Sequence, residues 1–112
     1  MRYILISVML MFSSGQVFAT SGSGCYRVVN VAYDDVLNIR SRPSARSSIV
    51  YTLDPAGGPI ISGGRSAYDA QRQCIPTYRR LSSRWCPVTI YDGNNSVRGW
   101  AKRRFLQPND CP

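Results

Sequence analysis

Trp85, Trp100, Tyr33, Tyr91 and Arg40 are the side chains of this sequence whose chemistry best suits contact with another molecule. Aromatic faces bury apolar or planar groups, and a guanidinium pairs through two parallel hydrogen bonds with a carboxylate or phosphate. Bond-making chemistry has poorer material. Asp34 and Asp35 are adjacent, so on a strand they point to opposite faces and do not form the facing carboxylate pair of a glycosidase. They read better as turn residues, paired with Arg27 or Arg40. Ser41, Ser44, Ser47, Ser48, Ser82 and Ser83 have no histidine to take their protons, because the chain contains none. Lys102, the only lysine, falls in a charged run that reads as solvated. Gly57-Gly58 and Gly63-Gly64 lack the spacing of a phosphate loop. The expectation is a binding protein without catalytic residues, metal ligands or cofactor.

The chain has 112 residues, with 14 Lys+Arg against 6 Asp+Glu, and its net charge of +8 rests almost wholly on arginine. That length holds one small domain, with little room for a deep, water-excluding site. The arginine excess favours anionic surroundings. Residues 1–19 read as a secretory signal rather than as part of the fold. Met1-Arg2 is a basic start, Tyr3 to Phe12 is an almost unbroken apolar run, and Val17-Phe18-Ala19 offers small residues for cleavage. A membrane anchor needs roughly 20 apolar residues, whereas this run is interrupted early by Ser13, Ser14 and Gln16. The mature chain is therefore expected to be exported, periplasmic or extracellular, without a transmembrane segment, and to begin with a flexible lead-in over 20–25.

So small a domain buries a modest share of its surface and benefits from cross-links. Four cysteines in an exported chain without histidine match two disulfides better than a zinc site, and no C-x-x-C is present for redox work. Three pairings are open. The favoured set joins Cys74 to Cys86, closing a short loop, and Cys25 to Cys111, tying the ends of the domain together. Each bridge is worth roughly 3 to 5 kcal/mol in loop-closure entropy.

The elements that must position the aromatics are short strands separated by turns, with no long stretch of helical period. Cys25 to Val31 is rich in β-branched residues. After the Asp34-Asp35 turn, Val36 to Arg40 sends Leu37 and Ile39 to one face and Asn38 and Arg40 to the other. Ser48 to Leu53 and Pro59 to Ile61 follow, divided by Asp54-Pro55-Ala56-Gly57-Gly58. Regularity then fails from Ser62 to Arg84, where Ser66 to Gln73 is expected to form a turn or two of helix. Trp85 to Tyr91 and Val97 to Ala101 read as a hairpin about the Asp92-Gly93-Asn94-Asn95 turn, and Pro87 implies a strand that is an edge or bulged there. Lys102-Arg103-Arg104 is expected to make one tight helical turn, and residues 108–112 an irregular tail. Leu37, Ile39, Ile49, Leu53, Val88, Ile90 and Phe105 are the expected core. Trp85 has the opposite parity to Val88 and Ile90, so its indole should be partly exposed.

Val36-Leu37-Asn38-Ile39-Arg40-Ser41-Arg42-Pro43-Ser44 resembles the L-N-[VI]-R-S-x-P-S signature of bacterial SH3-like (SH3b) domains. Trp85-x-x-Val88, Asp92-Gly93, Gly99-Trp100-Ala101 and Phe105-Leu106 resemble the W-x-x-V, D-G, G-W-V and Y-L elements in the family's order. The resemblance covers residues 26–107. It departs from the family in a longer connection between Ile61 and Trp85, and in Arg42 where glycine is common. It implies an all-β fold, a small, partly open SH3-like barrel of about five or six short strands with a disulfide-linked insertion over 62–84. In such a barrel the first and last strands meet, which agrees with a Cys25 to Cys111 bridge.

Family resemblance also implies a noncatalytic binding module whose aromatic groove, near Trp85 with Tyr33, Tyr91 and Trp100, recognises cell-wall peptide or an envelope protein. Arg40 has two readings, a ligand contact or a bridge between strands. Two other functions fit the same chain. A secreted inhibitor or host-facing factor would use the 62–84 insertion as its contact surface, and a basic protein would bind anionic polymer with steep salt dependence. Specific nucleic-acid recognition is not expected, and the oligomeric state is not encoded in any pattern found.

Overall fold

The computed structural model of the protein describes residues 24–64 and 66–112, so the expected signal segment and residues 20–23 of the lead-in lie outside the described residues. Seven strands form one antiparallel sheet: β1 (Cys25–Val28), β2 (Leu37–Arg40), β3 (Ile49–Leu53), β4 (Ile60–Ser62), β5 (Trp85–Asp92), β6 (Asn95–Lys102) and β7 (Leu106–Asn109). A single helix, α1 (Ala67–Arg72), and two 3-10 turns, Leu81–Ser83 and Arg103–Phe105, complete the described elements. Along the sheet the order is β3-β2-β6-β5-β4-β1-β7. Leu53 from one edge strand and Leu106 from the other are buried in the same core, so the sheet curls upon itself. β3 and β7 do not pair with each other, and the barrel is left open.

The first and last strands lie side by side in register from Cys25↔Asn109 to Val28↔Leu106. β7 therefore reaches into the expected irregular tail, and β1 begins at Cys25, the last residue of the expected lead-in. Nothing local announces β7, because its partner comes from the opposite end of the chain. This adjacency brings Cys25 within bonding reach of Cys111, and Cys74 bonds Cys86. No cysteine is free.

The core follows strand alternation. Leu37, Ile39, Leu53, Val88 and Ile90 are buried as expected, joined by Tyr26, Ile61, Ala101 and Leu106. Ile49 is a correction. It is 49% exposed, because a bulge shifts the β2–β3 register between Ile39↔Tyr51 and Arg40↔Ile49. The extra residue, Val50, turns Ile49 to the face of Arg40 and away from Ile39, as a bulge inverts parity beyond it. Phe105 is half-buried against the rim of the core. Pro87 sits in an interior strand, yet β4 pairs with β5 only as far as Thr89. At Pro87 the strand is locally an edge, where a missing N–H costs no ladder bond to β4.

Between β4 and β5, over the expected insertion, α1 occupies the stretch expected to be helical. Its Ala70 is buried, and the Cys74 sulfur lies 3.6 Å from the Ala70 carbonyl oxygen. Ile75 and Trp85 exchange backbone hydrogen bonds of 2.8 and 2.7 Å. The insertion is thereby fastened to the first residue of β5 by a β-bridge and to the second by a disulfide. No helix among the described residues is long and apolar enough to cross a membrane.

Candidate functional site

The hairpin geometry places the first aromatic. β5 and β6 are joined through Gly93 and Asn94, with Asp92 opposite Asn95. Gly93 takes a φ of 62°, in the left-handed region open to glycine. From that tight loop the register puts Trp100 opposite Pro87 and Lys102 opposite Trp85. Cys86, Val88 and Ile90 face the core from β5, and Gly99 and Ala101 from β6, so Trp85, Trp100 and Lys102 stand on the outer face. β2 joins this face through the Arg40↔Trp100 pair, bringing Asn38 and Arg40 to the same side.

Above that outer face lies a groove of about 240 Å³. Asn38, Arg40, Trp85 and Lys102 line it from the strands. Val31, Asp35 and Val36 enclose it from the β1–β2 loop, with Ala45 and Phe105 at its margins. The loop wall is held by one bond to the far end of the chain and by two local bonds. Asn30, in the left-handed region at φ 60°, donates from Nδ2 to the Arg104 carbonyl at 2.8 Å. The Asp35 N–H donates to the Ala32 carbonyl at 2.9 Å, and Asp35 Oδ1 accepts the Val36 N–H at 2.7 Å.

Arg40 is partly committed to structure. Its Nη1 donates to the Ser47 carbonyl at 3.0 Å, bracing the β2–β3 loop while the side chain stays half-buried in the groove. Lys102 Nζ stands 5.3 Å from the centroid of the Trp85 ring, a cation–π arrangement, and donates to the Ser83 carbonyl at 3.3 Å. Burial, followed by the nearby charges of Arg104 and Arg79, holds the Lys102 ammonium below the ordinary lysine pKa. The groove thus joins an indole, two cations, one carboxylate and an apolar rim, a lining suited to hold a short chain bearing both apolar and charged groups.

Of the five residues expected to meet a ligand, the structure gathers Trp85 and Arg40 into this groove. Trp100 pairs with Arg40 across the sheet but lines a neighbouring hollow of about 350 Å³ with Arg98, Gln73 and Ser41. Tyr33 is 91% exposed on the β1–β2 loop and is not among the lining residues. Tyr91, six positions along β5 from Trp85, lies roughly 20 Å away at the rise of an extended strand. A further hollow of about 280 Å³, lined by Asp54, Gly57, Gly58 and Asp110 among others, contains none of the five.

Of the groove lining the sequence reading found only Trp85 and Arg40; it missed Lys102 and Phe105, the Asn38 position on β2, and the loop residues Val31, Asp35, Val36 and Ala45. A usable signal existed for Lys102. Counting outward from a two-residue hairpin loop puts it opposite Trp85, on the indole's face, whereas composition alone places it in a solvated charge run. Among the described residues no group of three or more His, Cys, Asp or Glu is placed to hold a metal. Comparison with protein-family models, curated proteins and solved structures gives no match for the chain.

Proposed function

We propose that this chain is a noncatalytic, exported recognition module that binds cell-wall peptide or an envelope protein through the Trp85 groove, as its resemblance to bacterial SH3-like domains implies. The observation that carries the reading is the convergence of Trp85 and Arg40, distant in sequence, on one groove with Lys102 beside the indole. Two disulfides and an apolar, basic leader-like start in the sequence support export.

Retention of the oxidised protein on purified sacculi at low and moderate salt tests this reading, with Trp85→Ala alongside the wild type. Salt-tolerant retention that the substitution abolishes is the expected result, because stacking on an indole is screened weakly. Retention that disappears with salt and ignores Trp85 would instead mark a polyanion binder, whose affinity falls steeply as counterions compete. Absence of retention at every salt concentration would shift the partner to an envelope protein.

A further inference from the structure

Lys102 is an ammonium with three donors, and one of them meets the Ser83 carbonyl at the long distance of 3.3 Å. Its Nζ lies against the Trp85 ring, and it has no ion-pair partner among the described residues. The second cation of the groove, Arg40, spends one Nη on Ser47 and carries further N–H donors on the same guanidinium. Asp35 lines the same groove, with one carboxylate oxygen engaged by the Val36 N–H. Two cations face one fixed acid in the lining, and Arg104 and Arg79 add positive charge close to Lys102, so the groove is matched by an anion. The anion that an unmodified peptide carries is a carboxylate, at its chain terminus or on an acidic side chain.

We infer that the groove selects ligands by a carboxylate, seated on the Lys102 ammonium beside the Trp85 indole, with the adjoining apolar part of the ligand lying against the ring, Val36 and Phe105. The inference rests on the binding function proposed for the groove and specifies its ligand chemistry, a short peptide segment carrying a free carboxylate. That carboxylate can be a chain terminus or an acidic side chain. Lys102 is the discriminating residue. Lysine is a compact point charge that needs no planar partner geometry, so it accepts either source, and the indole beneath it keeps water from one side of the pair.

Titration of the isotopically labelled, oxidised protein tests the assignment, following the two indole N–H signals by NMR. Three probes are compared: acetyl-Ala-Ala with a free terminal carboxylate, its carboxamide, and acetyl-Glu-Ala carboxamide, whose only carboxylate is on a side chain. The expected result is a saturable shift of the Trp85 signal with the first or third probe and at least a tenfold weaker response to the uncharged one. Which of the two charged probes acts identifies the source. Lys102→Met is expected to remove the difference between charged and uncharged probes, and Lys102→Arg to retain it, both with an otherwise unchanged spectrum. An equal response to all three probes, or none to any, overturns the carboxylate assignment. Sacculus retention separates this from failure of the groove itself. Retention that needs Trp85 and is indifferent to Lys102 leaves the groove standing without its carboxylate, and retention indifferent to both removes the two together.

Discussion

A Cβ placed on Gly99 would stand 2.5 Å from Ile39 Cγ2, 2.8 Å from the Arg40 carbonyl oxygen and 3.0 Å from Val50 Cγ2. β6 can approach β2 at the bulge only because position 99 has no side chain, and the Arg40↔Trp100 pair depends on that approach. Gly99→Ala is therefore expected to cost about 1–3 kcal/mol, the range for overpacking a close-packed interior. Urea unfolding measures the loss. A substitution at Gly57, where an added Cβ meets nothing within 4 Å, isolates the backbone effect of its positive φ from the packing effect.

Ser47 is buried, and its hydroxyl accepts the Arg42 N–H at 3.2 Å while lying 2.8 Å from the Ser44 carbonyl oxygen and 3.0 Å from that of Arg42. Ser47→Ala leaves a half-buried N–H and carbonyl without this partner, at an expected cost of about 1–3 kcal/mol. Exposed Ser48→Ala should stay within about 0.5 kcal/mol in the same denaturation assay.

Tyr26 is buried in the core, and its hydroxyl has no hydrogen-bond partner among the described residues. Burial pushes its pKa up, with the Arg103 charge opposing in part. The unfolded chain releases this proton near pH 10, at the ordinary tyrosine value, and the folded chain only above it. The associated stability is fully present below about pH 10 and is lost as pH rises past it, since ionisation then favours the unfolded state. Tyr26→Phe should flatten that alkaline decline in denaturant midpoint and leave neutral-pH stability unchanged or raised by up to about 1 kcal/mol.

The two disulfides span sequence separations of 86 and 12 residues. Chain entropy assigns the Cys25–Cys111 bridge about 4–5 kcal/mol and the Cys74–Cys86 bridge about 3 kcal/mol. Paired alanine variants should reproduce that order in thermal unfolding. Only loss of Cys74–Cys86 should speed hydrogen exchange at the Ile75 and Trp85 amides, each of which donates to the other residue's carbonyl.

Trp85→Ala is expected to lower sacculus retention at least about tenfold, whereas Tyr33→Ala and Tyr91→Ala should leave it within about twofold, because contacts outside a central patch are energetically near neutral. Retention that follows Tyr33 or Tyr91 instead would move the binding surface off the groove.

Strand alternation determined, from the sequence by itself, that Leu37, Ile39, Val88 and Ile90 turn inward and that Trp85 and Arg40 turn outward. Side chains on a strand repeat every two residues whatever the neighbouring strand is. The hairpin turn at Gly93 likewise encoded the pairing of Trp85 with Lys102, which was legible to anyone counting from the loop. Local pattern could not reveal that Val50 forms a bulge and exposes Ile49, because a bulge is defined against the partner strand. Nor could it place β7 beside β1 or set the β1–β2 loop over the outer sheet face. Those contacts join residues far apart in the chain, and only packing around a shared core selects them. The tertiary structure accordingly decided which exposed aromatics share a groove: Trp85 does, while Tyr33 and Tyr91, equally prominent in the sequence, stand apart from it.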